Sequence, residues 1–141
     1  MSENLDLVRS IRSAWDRGDF FESGDLFSSV VEWAHPEIEC VFADTPDSGT
    51  SFGVPDMVRR LREFLGAWEG WRVEADEYRA LDDERVLVLT HPRGRGKASG
   101  VDIGAKGAEL FQIREGKVTK LVLYGDRDRA LADLGLAREG G

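Results

Sequence analysis

The chain has 141 residues, 41% of them hydrophobic, with four Trp and seven Phe. That is enough apolar material for a single domain over residues 1–141, burying roughly two thirds of its unfolded surface. Nineteen basic against 27 acidic residues leave a net charge of −8, which argues against nucleic acid as a partner because a phosphate backbone needs a basic face.

Leu5, Val8, Ile11 and Trp15 recur at helical spacing and predict a first helix, with Arg9, Arg12, Asp16 and Arg17 on its polar side and Gly18 as its stop. Leu26, Val30 and Trp33 predict a second, which Pro36 ends by disfavouring helical geometry at His35. Ile38 to Phe42 read as a strand, the stretch from Asp44 to Thr50 as a turn-rich loop, and Thr50 to Phe52 as a minor strand.

A third helix opens at Gly53-Val-Pro-Asp, where the missing donor of Pro55 does no harm. Met57, Leu61, Phe64 and Trp68 form its apolar stripe, and Gly70 closes it. Trp71, Val73 and Ala75 then alternate with Arg72, Glu74 and Asp76, and the phase slips to Tyr78 and Ala80. That slip predicts a bulge in a half-buried strand.

Val86 to Leu89 is a continuous apolar run, as in a central strand buried on both faces. The glycines after His91-Pro92 suggest a loop or a twisted strand end. From Lys106 an apolar strand, an Arg114-Glu-Gly-Lys turn, a second strand to Tyr124 and a short helix opened by Asp126 complete the chain. Consecutive strands with short turns form an antiparallel sheet, and helices and sheet must bury their apolar faces against each other. The predicted class is α+β: a curved, mainly antiparallel sheet wrapped around three helices, with a short C-terminal helix and a hollow between sheet and helices.

Cys40 stands alone, so no internal disulfide forms, and a buried inert thiol is expected there. The acidic N-terminus does not resemble a signal peptide, and no apolar run approaches the ~18 residues of a membrane span. A cytoplasmic protein with no membrane partner is the expectation.

The element order resembles the nuclear transport factor 2-like superfamily, in its SnoaL-like and ketosteroid isomerase-like branch, and that resemblance implies a cone-shaped, mixed but mainly antiparallel sheet. The residues that carry the likeness are Arg17-Gly-Asp, Ala34-His-Pro-Glu-Ile-Glu, Gly53-Val-Pro-Asp-Met-Val, the hairpin Arg114-Glu-Gly-Lys-Val and the terminal run from Tyr124 to Leu136. The resemblance implies a cofactor-independent isomerase, cyclase or dehydratase acting on a small hydrophobic carbonyl compound. The alternative is a non-catalytic binder of small hydrophobic ligands, or a dimerisation module. Homodimers through the outer sheet face, including Val122 and Tyr124, are also implied.

By that resemblance Asp126, nine residues before Gly135, matches the acid/base aspartate of SnoaL-like cyclases. Such a group needs a dry pocket to act near neutral pH; the other reading is a helix cap. Asp44 is similar to the proton-shuttling aspartate of ketosteroid isomerases, or is a turn residue. Those isomerases also use a tyrosine on the first helix and a protonated acid on the penultimate strand. Counting from Gly18 and Gly116, those places hold Ile11 and Ala108, so neither polar group is present there.

Other candidates come from the residues themselves. Glu109 shares a strand face with Phe111 and Ile113 and points into the hollow or lies at a solvated strand end. Arg93 and Arg95 share a face and could pair with Glu109 or Asp44, bind an anionic ligand, or be solvated. His91 could act as the partner of a catalytic carboxylate or pack in the core. Trp15, Trp33 and Phe111 are candidate ligand-lining residues, or plain core. The two histidines lack ligand spacing, so no metal site is expected. Neither a dinucleotide-binding glycine pattern nor a P-loop is present, and no cofactor is expected.

Overall fold

The computed structural model describes residues 2–16, 31–43, 49–66, 68–96, 100, 102–104 and 106–136. Its elements are α1 (Ser2–Asp16), β1 (Ala34–Ala43), β2 (Gly49–Phe52), α2 (Val54–Gly66), β3 (Trp68–Ala80), β4 (Arg85–Gly96), β5 (Asp102–Gly104), β6 (Gly107–Arg114), β7 (Lys117–Tyr124) and α3 (Arg127–Asp133). Residues 31–33 are helical and lead into β1; Leu26 and Val30 of the expected second helix lie outside the described residues.

Seven strands form one curved sheet in the order β2-β1-β7-β6-β4-β3, with β5 also paired to β4. Every pairing is antiparallel except β1 with β7. The parallel contact sets the first long strand, β1, beside the last strand, β7, so the chain's two halves share one sheet. Glu115 (φ 51) and Gly116 (φ 78) make the tight hairpin between β6 and β7, the two positive φ values of a turn whose twist matches the flanking strands.

The inner face carries one apolar cluster. Val8 and Ile11 of α1, Trp33, and Val54, Met57, Val58 and Leu61 of α2 meet Cys40, Phe42, Val86, Val88, Phe111, Ile113 and Leu121 of the sheet. A second cluster lies on the outer face, where Ala130 and Leu131 of α3 cover Leu87, Leu89, Ala108, Leu110 and Val122. Strand β4 feeds both clusters, which is why its run from Val86 to Leu89 is apolar without alternation. The α+β cone is therefore the observed fold.

Three details differ from the sequence expectation. Helix α2 ends at Gly66 rather than Gly70, and Trp68 already belongs to β3; glycine, the costliest residue to order, stops the helix one turn earlier. Strand β1 begins at Ala34, ahead of Ile38. Pro36 is tolerated there because the pairing with β7 is irregular between Ala34 and Glu39, so its missing N–H breaks no regular ladder. The short β5 is additional. The expected bulge is present between Ala75 and Glu77. No helix among the described residues is long and apolar enough to cross a membrane.

Candidate functional site

Cross-strand register decides which residues share the inner face. Glu109 of β6 pairs with Val88 of β4 and Leu123 of β7, and Val88 pairs with Tyr78 of β3. All three neighbours belong to or pack against the inner cluster, so Glu109 projects from the middle of an apolar surface, 6% exposed. Phe111, two residues on, is fully buried in the next row.

The counter-charge comes from α1. Arg12 Nη1 donates to Glu109 Oε1 at 2.7 Å, and the guanidinium is 1% exposed. Arg12 was expected on the polar side of its helix. It instead lies four residues after Val8, one turn along the same buried stripe, and it is accommodated because its charge is met on the sheet. A buried carboxylate or guanidinium without its partner would cost several kcal/mol.

Nη2 of Arg12 donates to the Val73 carbonyl of β3 at 2.5 Å. Val73 lies opposite Pro92, a residue with no amide proton to offer. One guanidinium thus joins α1 to β3 and β6, the strands on either side of β4. This fixes the orientation of the charged pair on the inner face.

A second charged group sits at the other surface of the sheet. Arg127, first residue of α3 and 3% exposed, donates to the carbonyls of Thr90 (2.6 Å) and Gly107 (3.3 Å) and to Asp76 Oδ2 (2.7 Å). Thr90 and Gly107 form the last pair of the β4–β6 ladder, so Arg127 satisfies carbonyls where that ladder ends. Asp76 reaches it from the β3 bulge. His91 Nδ1 lies 3.9 Å from the same Asp76 oxygen. His91 follows the inward Thr90 and pairs with Glu74, which places it on the outer side, away from Glu109.

Asp126 is exposed and caps α3, accepting from the Asp128 amide at 3.0 Å. Asp44 lies outside the described residues. Trp15 belongs to α1, but its side chain lies outside the described residues; Trp33 is buried in the inner cluster. Arg93 and Arg95 are exposed on the face opposite that of Glu109, beyond the β4–β6 ladder, so the structure does not bring them to that acid. Ile11 and Ala108 are both buried, but Ala108 belongs to the outer cluster. The inward acid of β6 is one residue further on, at Glu109, and the polar residue of α1 that meets it is one beyond Ile11, at Arg12.

Burial pushes the Cys40 thiol up to about 12, against the opposing pull of the Arg60 charge, which disfavours the thiolate that a nucleophile requires. Among the described residues no three His, Cys, Asp or Glu side chains converge as a metal site.

No protein-family model matches this chain, and no curated protein matches it in sequence. Solved structures do match. A nuclear transport factor 2-like protein of unknown function from Burkholderia pseudomallei K96243 superposes with a TM-score of 0.74 at 19% identity, over 94% of this chain and 97% of its own. A protein described as a SnoaL-like polyketide cyclase from Jannaschia sp. CCS1 gives 0.70 at 13% identity, over 99% and 94%. TerC, co-crystallised with polyporic acid, gives 0.71 at 18% identity, over 96% and 98%. The chain therefore has the nuclear transport factor 2-like fold.

Proposed function

We propose that this is a cytoplasmic small-molecule protein of the SnoaL-like type, a cofactor-independent isomerase, cyclase or dehydratase whose polar centre is the Arg12–Glu109 pair. The observation that carries the reading is a buried ion pair, 2.7 Å across, set in the apolar inner face of the sheet. The likeness to a SnoaL-like cyclase and to a protein crystallised with polyporic acid supports a ring-containing carbonyl compound as ligand.

In this reading Glu109 accepts a proton from the carbon next to the substrate carbonyl. The C–H electron pair moves toward the carbonyl oxygen, where the Arg12 guanidinium stabilises the developing charge. The proton returns at another carbon, so no redox partner is consumed. Asp126, exposed and capping a helix, is not needed for this chemistry.

The test is incubation of wild-type protein and Glu109→Gln in D2O with a panel of aromatic and steroid-like carbonyl compounds, followed by mass spectrometry. Deuterium wash-in that Glu109→Gln abolishes supports the enzyme. Binding without wash-in in the wild type overturns it in favour of the non-catalytic binder, a reading that the pairing of Glu109 with Arg12 also suits.

We also propose a homodimer through the outer sheet face. Val122 is already 6% exposed beneath α3, so the contact would fall on the half-buried Val41, Ala43 and Tyr124. A monomer in light scattering at micromolar concentration would remove that assembly.

A further inference from the structure

We infer that the outer face of β2, β1 and β7 docks on the same face of a second copy, with Phe52 as its anchor and Glu39 and Lys120 as its balanced charges. This rests on the outer-face homodimer proposed above and specifies its contact. Helix α3 covers part of the outer cluster and leaves Val41, Ala43 and Tyr124 half-buried at its margin. Phe52 extends that margin to the edge of the sheet. It stands opposite Glu39 in the β1–β2 register, so the two share a face, while the neighbouring pair of Cys40 and Ser51 is fully buried on the inner one. Phe52 is 68% exposed, more than any other large apolar side chain among the described residues. An aromatic ring left in water beside further apolar side chains marks a contact surface.

Charge indicates what covers it. Glu39 and Lys120 are partners in the β1–β7 register, in the same row as Phe52, and their charged atoms lie 3.8 Å apart with both side chains reaching solvent. The chain as a whole carries −8, so two copies repel each other in most orientations. At this face they do not, because it holds one charge of each sign.

A surface that lies on a copy of itself must be uncharged or balanced, since an excess of either sign would set like against like across the contact. A surface serving an acidic or a basic partner has no such requirement and gains from an excess of the opposite sign. The balance of Glu39 with Lys120, within an otherwise apolar margin, therefore fits a second copy in a two-fold contact, where the same patch serves both sides.

The experiment is sedimentation equilibrium of the full chain as wild type, Phe52→Ser, Glu39→Lys and Lys120→Glu, with circular dichroism to confirm that each is folded. Phe52→Ser is expected to weaken the dimer about tenfold or more. Glu39→Lys makes the patch doubly positive and Lys120→Glu makes it doubly negative, so each alone should associate more weakly than wild type. An equimolar mixture of those two should associate about tenfold more tightly than either alone, because opposite patches then meet. Both variants keep a negative net charge, so overall attraction cannot produce that result. A dimer that Phe52→Ser leaves unchanged overturns the anchor, and a mixture no tighter than its components overturns the patch-on-patch contact; in either case the homodimer itself stands. A wild type that stays monomeric at micromolar concentration overturns both.

Discussion

Arg12 and Glu109 lie 97 positions apart in the chain, and their side chains meet at 2.7 Å with almost no access to water. The contact joins the first helix to the penultimate strand, so it forms only when helix and sheet are assembled.

Breaking that contact from one side leaves a buried charge without this counter-charge. Glu109→Leu and Arg12→Met should each destabilise the fold by about 3–5 kcal/mol. The double variant Arg12→Met/Glu109→Leu should recover most of that loss, because no charge remains buried. Urea denaturation of the four proteins, read as a double-mutant cycle, checks it; additive losses would show that the two charges do not depend on each other.

Arg127 fastens α3 to the sheet through two carbonyls and Asp76. Arg127→Met should cost about 2–4 kcal/mol, since hydrogen bonds to a buried charge are lost and carbonyls lose their donor. Asp76→Asn should cost less than 1 kcal/mol, because that carboxylate is 41% exposed and screened by water. Amide exchange in α3 and at the start of β6 should accelerate in the first variant and change little in the second.

Gly107 leaves no room for a side chain. A Cβ there would stand 2.7 Å from the Tyr124 carbonyl oxygen and 3.1 Å from Thr90 Oγ1. Gly107→Ala should therefore destabilise by about 1–3 kcal/mol, because strand backbone must move. Thermal unfolding measures it, and a melting temperature equal to wild type would contradict the clash.

At the hairpin the substitution should help. Glu115 holds φ at 51°, a conformation that costs an ordinary side chain roughly 1–2 kcal/mol and asparagine less. Glu115→Asn should raise stability by about 0.5–1 kcal/mol, producing the Asn-Gly pair this turn favours. Chemical denaturation would show a higher midpoint with unchanged slope.

Cys40 gives an alkaline signature. Its folded thiol is raised from 9.0 to about 12, so between those values the unfolded chain has lost a proton that the folded chain keeps. Its contribution is fully present below pH 9.0 and is lost as pH rises toward about 12, by about 1.4 kcal/mol per pH unit. The difference in stability between wild type and Cys40→Ala should shrink across that window. A difference independent of pH would mean that the thiol is not shielded.

Local features were legible in the chain because local physics sets them. The Arg114-Glu-Gly-Lys turn, the Asp126 cap, the bulge after Ala75 and the doubly buried run from Val86 to Leu89 each follow from a few adjacent residues. The inward direction of Glu109 is not legible locally, because side chains alternate and a shift of one residue lands on the opposite face. Ala108, its neighbour, faces outward. On the first helix Arg12 follows the apolar Ile11 and shares its burial.

Amphipathic patterning, turn chemistry and capping were thus enough to specify a curved α+β sheet packed on helices from the amino-acid order alone. Tertiary structure decided where the charges go. Arg12 reads as a surface residue until the sheet supplies Glu109 and the Val73 carbonyl, and Arg127 reads as an ordinary helix start until it reaches Thr90, Gly107 and Asp76. A charged side chain can be buried only where distant parts of the chain bring it a partner, and no local pattern records which partner that will be.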